Sequence, residues 1–190
     1  MSEITELLAA DRSGDDAVFD RLVPRLYPEL RRLARAQLRR RGPGETLDTT
    51  SLVNETYLKL AEANRIAAGD RCHLLSIVAR AMRMILVDHA RSRHALKRGG
   101  ESEPVTLDAT QIASADRVRI DVLDLERAME RLAEIDRRLC RIVECRYFGG
   151  MTEPETAEAL AISVRTVQRD WKRARAWLRK DLSSGAGQAD

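Results

Sequence analysis

Residues 152–182 read TEPETAEALAISVRTVQRDWKRARAWLRKDL. Thr152 followed by Glu155, with Pro154 in the first turn, is a capping box, so the spacing predicts a short helix from about residue 153. Ala157 and Leu160 face inward, Ala161-Ile162 end the helix, and Ser163 is a second N-cap. Beyond it Val167, Trp171, Ala174 and Leu178 are spaced four, three and four, one apolar stripe on one helix. The other faces are basic: from Ser163 to Asp181 stand Arg165, Arg169, Lys172, Arg173, Arg175, Arg179 and Lys180 against only Asp170 and Asp181, whereas the shorter helix is acidic at Glu153, Glu155 and Glu158. Arginine-rich surface helices are common in themselves. The capping box, tight turn, second cap and one-sided basic helix together predict a helix-turn-helix whose second helix enters the DNA major groove with its early residues on base edges. Arg165, Gln168 and Arg169 are the candidate base readers, Lys172 and Arg173 are placed for phosphates, and Ser163 and Thr166 at the helix start complete the DNA-contact set. Trp171 is expected in the core and Trp177 at a partly exposed packing position.

Upstream of this unit a helical period runs through Leu125, Ala128, Met129, Leu132, Leu139, Ile142, Val143 and Tyr147 and stops at Gly149-Gly150. Before it, residues 99–119 (GGESEPVTLDATQIASADRVR) lose that period, gain Gly, Pro, Ser and Thr and are mainly acidic, the composition of a flexible linker. The chain therefore divides into residues 1–98, a linker 99–122, a second unit 123–183 and a tail 184–190 expected to be disordered. With aromatics at 4% and Ala, Leu, Arg and Glu outnumbering strong β-formers, the fold class is all-α: two small helical domains joined by a flexible linker.

The front unit reads as helices almost throughout. Phe19, Leu22, Val23, Leu26, Leu30 and Leu33 mark the first, with a kink or break expected at Pro24 and Pro28, and six arginines between Arg31 and Arg41 precede the stop Gly42-Pro43-Gly44. A second, from Thr50 to about Ala63, places Leu52, Val53, Thr56, Tyr57 and Leu60 on one side. A third, about Arg71 to Arg98, is apolar from Leu74 to His89 on more than one face, as at the centre of a bundle. It also carries Arg71, Arg80, Arg83, Arg91, Arg93, Lys97 and Arg98 with one acid, Asp88, among them, a set suited to following nucleic-acid backbone.

The stretch LDTTSLVNETYLKLAEA, Leu47 to Ala63, resembles the polymerase-binding helix of sigma factor region 2, whose extracytoplasmic-function (ECF) form runs approximately D-L-V-Q-E-T-F-L-K-L; Asn54 stands where Gln is usual. ARAMRMILVDHARSRHALKRGG, Ala79 to Gly100, is similar to the promoter-melting part of region 2, and Leu132 to Leu182 to region 4, including the Tyr147-Phe148-Gly149-Gly150-Met151-Thr152 turn and the Ser163-x-x-Thr166-Val167 helix start. The resemblance implies a transcription initiation factor that binds core RNA polymerase and promoter DNA. Region 2 would contact the clamp helices and open the minus-ten element; region 4 would read the minus-thirty-five element and touch the polymerase flap. It assigns core binding to Asp48, Ser51, Leu52, Asn54, Glu55, Leu58 and Lys59, the downstream element to Arg80, Arg83, Arg91, Arg93, Lys97 and Arg98, and the upstream element to the seven-residue set of the last helix. An anti-sigma factor is a further partner that the family admits. Relatives often place aromatics near Leu74-Leu75, where this chain is aliphatic.

No paired carboxylates, activated Cys/His or phosphate-cradling glycine loop point to an enzyme, and no cofactor is implied. Asp88 and His89 are adjacent, hence on different helical faces, and His73 adds no ligand spacing, so no metal site is expected; His89 reads as an interior or boundary histidine and Asp88 as a partner for a nearby arginine. Cys72, Cys140 and Cys145 form no CxxC and are odd in number, the pattern of reduced cytoplasmic thiols. No signal peptide or membrane span is legible. The alternative is a two-domain helix-turn-helix regulator that does not bind core polymerase.

Overall fold

The computed structural model describes residues 3–10, 16–39, 47–62, 70–96, 106–108 and 119–185. Helices α1 (Glu3–Ala10), α2 (Asp16–Arg39), α3 (Thr49–Glu62) and α4 (Arg71–Leu96) form the front half. Helices α5 (Val122–Ile135), α6 (Arg137–Val143), a π-helical turn (Glu144–Phe148), α7 (Glu153–Leu160) and α8 (Val164–Gly185) form the back half. The all-α expectation holds, with one small addition. Strands β1 (Thr106–Asp108) and β2 (Arg119–Asp121) pair antiparallel within the expected linker, Leu107 opposite Ile120; its remaining residues, 99–105 and 109–118, lie outside the described residues.

Helix α2 contains both Pro24 and Pro28 and is continuous, so of the kink or break expected there the break is absent. The prolines are four apart, so the two amide donors they lack belong to one face, and both residues are exposed there. Water can satisfy the carbonyls left over, while the opposite face buries Leu22, Leu26, Leu30 and Leu33. Helix α1 escaped the sequence reading, although Ile4 and Leu8 are buried. Helix α8 continues to Gly185, beyond the expected end of order near Leu182, and residues 186–190 lie outside the described residues.

The period through residues 125–147 is broken into three pieces. Asp136 is extended (φ −154°, ψ 99°) and caps both ways: its N–H closes α5 on Leu132 O, while its carboxylate accepts from the Arg138 and Leu139 amides of α6. Because Leu132 and Leu139 are seven residues apart, the apolar stripe stays in phase across the break. In the π turn Gly149 N–H donates to Glu144 O (2.8 Å), one residue wider than an α turn.

One hydrophobic core runs through both halves. Helix α4 is its axis: Leu74, Leu75, Val78, Ala79, Met82, Ile85, Leu86 and Ala90 are all buried, and α4 packs on α3 to one side and on α5, α7 and the π turn to the other. The expected burial of more than one α4 face is thus realised, partly against the back half. Polar contacts lock the same seam. Gln37, almost fully buried on α2, donates to the carbonyls of Tyr147 (3.1 Å) and Phe148. Arg71 binds Glu29 (2.6 Å) and Glu155 (3.1 Å), and Arg83 binds Glu126 (2.6 Å) and Glu144 (2.9 Å).

Candidate nucleic-acid interface

Helices α7 and α8 have the predicted construction. Thr152 Oγ1 accepts from the Glu155 amide (3.3 Å) and Glu155 Oε2 accepts from the Thr152 amide (2.8 Å), so both halves of the capping box form. Helix α7 ends at Ala161, whose left-handed backbone (φ 52°, ψ 46°) reverses the chain in three residues. Ser163 Oγ then accepts from the Thr166 amide (3.1 Å), the second N-cap. Val167, Ala174 and Leu178 are fully buried and Trp171 nearly so, which points the opposite face of α8 to solvent. Trp171 also lies 5.8 Å from the guanidinium carbons of Arg146 and Arg175. Trp177 is half-buried against the core.

On the outward face Ser163, Arg165, Gln168, Arg169, Lys172 and Arg173 are exposed and Thr166 is half-buried. Two of the candidate readers already have partners. Gln168 Nε2 donates to Glu153 Oε2 of α7 (2.8 Å), and Arg169 Nε donates to Asp170 (2.9 Å). Asp170, which the sequence offered only as one of two acids on a basic helix, is completely buried. Burial pushes its carboxyl up, but hydrogen bonds from Arg169 and Arg138 outweigh this and hold it below the usual range.

The basic set on α4 is divided. Arg80 and Arg91 are exposed, Arg91 at the edge of reach of Asp88 (4.0 Å) and Glu130 (3.9 Å), and Arg93 is half-buried. Lys97 and Arg98 lie outside the described residues. Arg83 is not on that surface: its side chain is 13% exposed, enclosed between two carboxylates of the back half. Burial pushes Glu126 above its ordinary value despite Arg83. Arg71 is likewise engaged in the seam. Leu74 and Leu75 are core residues, so the aliphatic surface expected there does not exist in this arrangement. The sequence could not show this, because the seam pairs residues more than forty positions apart whose charge and spacing equally suit a DNA-facing stripe.

On α3, Asp48 accepts from the Ser51 amide (2.8 Å), the cap that starts the helix, and that bond above all lowers its carboxyl. Asn54 and Glu55 are exposed, Leu58 is 56% exposed, and Ser51 is half-buried. Leu52 is fully buried, so it supports the helix from behind instead of forming its outer surface. Lys59 binds Asp88 (2.9 Å) more closely than the nearby arginine expected there, Arg91 (4.0 Å). Leu58 overlooks a groove of about 400 Å³ lined also by Glu55, Lys59, Ile85, Asp88, His89 and Ser92. His89 is half-buried, at the boundary position expected for it.

All three cysteines are buried free thiols. The fold gathers Asp70, Cys72 and Glu158, from both halves, with ligand atoms within 4.8 Å of one another, a cluster that their separation in sequence hides. Its members are occupied as they stand: Asp70 caps α4 through the His73 amide (2.8 Å), and the Cys72 thiol donates to Glu158 (3.2 Å). Burial, then Glu158, push the Cys72 thiol up to about 12, so it is protonated at neutral pH and a poor nucleophile. No described helix is long and apolar enough to cross a membrane.

The family model for ECF sigma factors matches residues 1–184. The chain belongs to the ECF sigma factor family. Among solved structures, that of CnrH in complex with the cytosolic domain of CnrY is similar, at 22% identity and a TM-score of 0.43, covering 96% of this chain and 99% of that one. Comparison with curated proteins gives no match.

Proposed function

We propose that this ECF sigma factor binds core RNA polymerase through the exposed face of α3 and directs it to a class of promoters, with α8 reading the upstream element and the exposed basic residues of α4 serving the downstream one. The observation that carries the reading is the geometry of α7 and α8. A left-handed turn joins a capped acidic helix to one whose apolar stripe is buried, so Arg165, Gln168, Arg169, Lys172 and Arg173 share a solvent-facing surface. That surface has the donors that guanine and adenine edges accept and the cations that phosphates attract. On this reading the chain is a cytoplasmic, non-enzymatic protein that works as a polymerase subunit. Core polymerase with and without the chain, supplied with fragmented genomic DNA, should give discrete run-off transcripts only when the chain is present. A regulator that uses the same helix-turn-helix without binding core would shift DNA alone, would not co-purify with core, and would start no transcripts from it; that result would refute the proposal.

A further inference from the structure

We propose that Asp170 is a positioning residue for base reading: its carboxylate, on the buried side of α8, holds the Nε edge of Arg169 and leaves that arginine's terminal fork to a guanine edge. The inference rests on the reading of α8 as the promoter-reading helix.

Asp170 is completely buried and cannot itself reach a base. It stands beside Val167, Trp171 and Ala174 on the inward side of the helix, where an apolar residue would fill the space without the cost of desolvating a charge. Both of its oxygens are used. Oδ2 accepts from Arg138 Nε of α6 (2.8 Å), and Oδ1 accepts from Arg169 Nε (2.9 Å) and, more loosely, from Arg173 Nη1 (3.5 Å). The two arginines of α8 remain mostly exposed, Arg169 at 61% and Arg173 at 56% of the side chain. One buried charge thus anchors two outward arginines that are a helical turn apart and would otherwise repel.

The choice of nitrogen gives the arrangement its meaning. Guanine offers O6 and N7 to two parallel N–H donors. With Nε committed to the carboxylate, the donors left on Arg169 are its terminal pair, which match that edge end-on. An arginine already restrained on the free protein loses less freedom when DNA arrives. The carboxylate acts on sequence choice only through Arg169, whereas the bond to Arg138 ties α6 to α8 and serves the fold.

The test measures holoenzyme binding to a set of single-base variants of the upstream element, alongside thermal unfolding of the free chain. Arg169→Ala identifies the position that Arg169 reads. Asp170→Asn, which keeps the shape and removes the charge, is expected to reduce discrimination at that same position about tenfold, or about 1.4 kcal/mol, and to add nothing when Arg169 is already Ala. Arg138→Ala is expected to lower the unfolding temperature and leave the base ranking intact. Should Asp170→Asn fail to fold, Asp170→Ala with Arg138→Met removes the buried carboxylate together with the partly exposed arginine that binds it and puts apolar groups in their place, a change that leaves no charge unpaired. Full discrimination in the Asp170 variants, beside a loss in Arg169→Ala, overturns the positioning role and leaves the reading of α8 standing. Equal loss in Arg138→Ala also overturns it, since the effect would then come from helix packing. If Arg169→Ala itself changes no ranking, the base-reading role of Arg169 falls and the positioning role with it.

Discussion

Gly149 and Glu155 show how single residues tie the back half to the front. A Cβ on Gly149 would stand 2.7 Å from Cys145 O, closer than real contacts allow, and a tight 3.0 Å from the Ala79 Cβ of α4. The next residue, Gly150, takes a left-handed backbone (φ 56°) that favours glycine on conformational grounds alone. Gly149→Ala must therefore distort the π turn at Cys145 and press it against α4. We expect a loss of about 1–3 kcal/mol, the range for overpacking a tight interface, read as a lower denaturant midpoint at unchanged slope; a loss below about 0.5 kcal/mol would show that the turn yields without cost. Glu155 carries a pH signature. Burial pushes its carboxyl up, but bonds from Thr152 and Arg71 outweigh this and hold it below 4.5. A depressed carboxylate contributes stability that is fully present above its unfolded value and is lost as pH falls through the folded one. The contribution should be intact at pH 6 and fade as pH drops below 4.5, and Glu155→Gln should flatten that part of the stability profile. An unchanged acid limb in the variant would contradict the assignment.

Among the elements, α3 and α8 were the most legible in sequence, because each has a capped start and one buried stripe. The predicted core of α8, Val167, Trp171, Ala174 and Leu178, is its buried apolar set, to which the fold adds Asp170, and Ser163 and Thr152 cap where expected. What could not be read depends on partners distant in sequence. Arg83 looks like a DNA-facing cation until Glu126 and Glu144 are placed around it, and Leu52 looks like part of a binding motif until the core closes behind it. The unbroken α2 belongs to the same class, since the effect of Pro24 and Pro28 depends on which face they share. For α3 the structure sharpens the test of polymerase binding. Asn54 and Glu55 are exposed and Leu58 is more than half exposed, whereas Leu52 and Val53 are core. Asn54→Ala with Glu55→Arg should therefore weaken competition for core polymerase while changing stability by no more than about 0.5 kcal/mol. A double variant that competes as well as the parent would remove α3 from the interface.

The seam between the halves decides how the whole molecule behaves when its connection is cut. An acidic, Gly- and Ser-containing segment joins the halves, yet α4 buries one side against α5, α7 and the π turn, and Gln37, Arg71 and Arg83 bind across the same boundary. A protease that nicks between residues 99 and 118 should thus give two helical fragments that stay together, because the apolar contact survives cleavage of the chain. The Arg83 cluster sets how firmly they stay. Its three side chains are only 11–14% exposed, so Arg83→Ala leaves Glu126 and Glu144 buried with the cation gone, a change worth about 3 kcal/mol or more. Glu126→Gln is the informative contrast. Burial already raises that carboxyl above its ordinary value, so its charge is a net cost to the fold, one relieved as pH falls through the raised value. Removing that charge should cost far less than removing Arg83. After nicking, gel filtration should show parent and Glu126→Gln fragments co-eluting, and Arg83→Ala fragments separating at the same concentration. First cleavage inside α4 would disprove the division into halves, and parent fragments that separate at once would show that the seam does not hold without the linker.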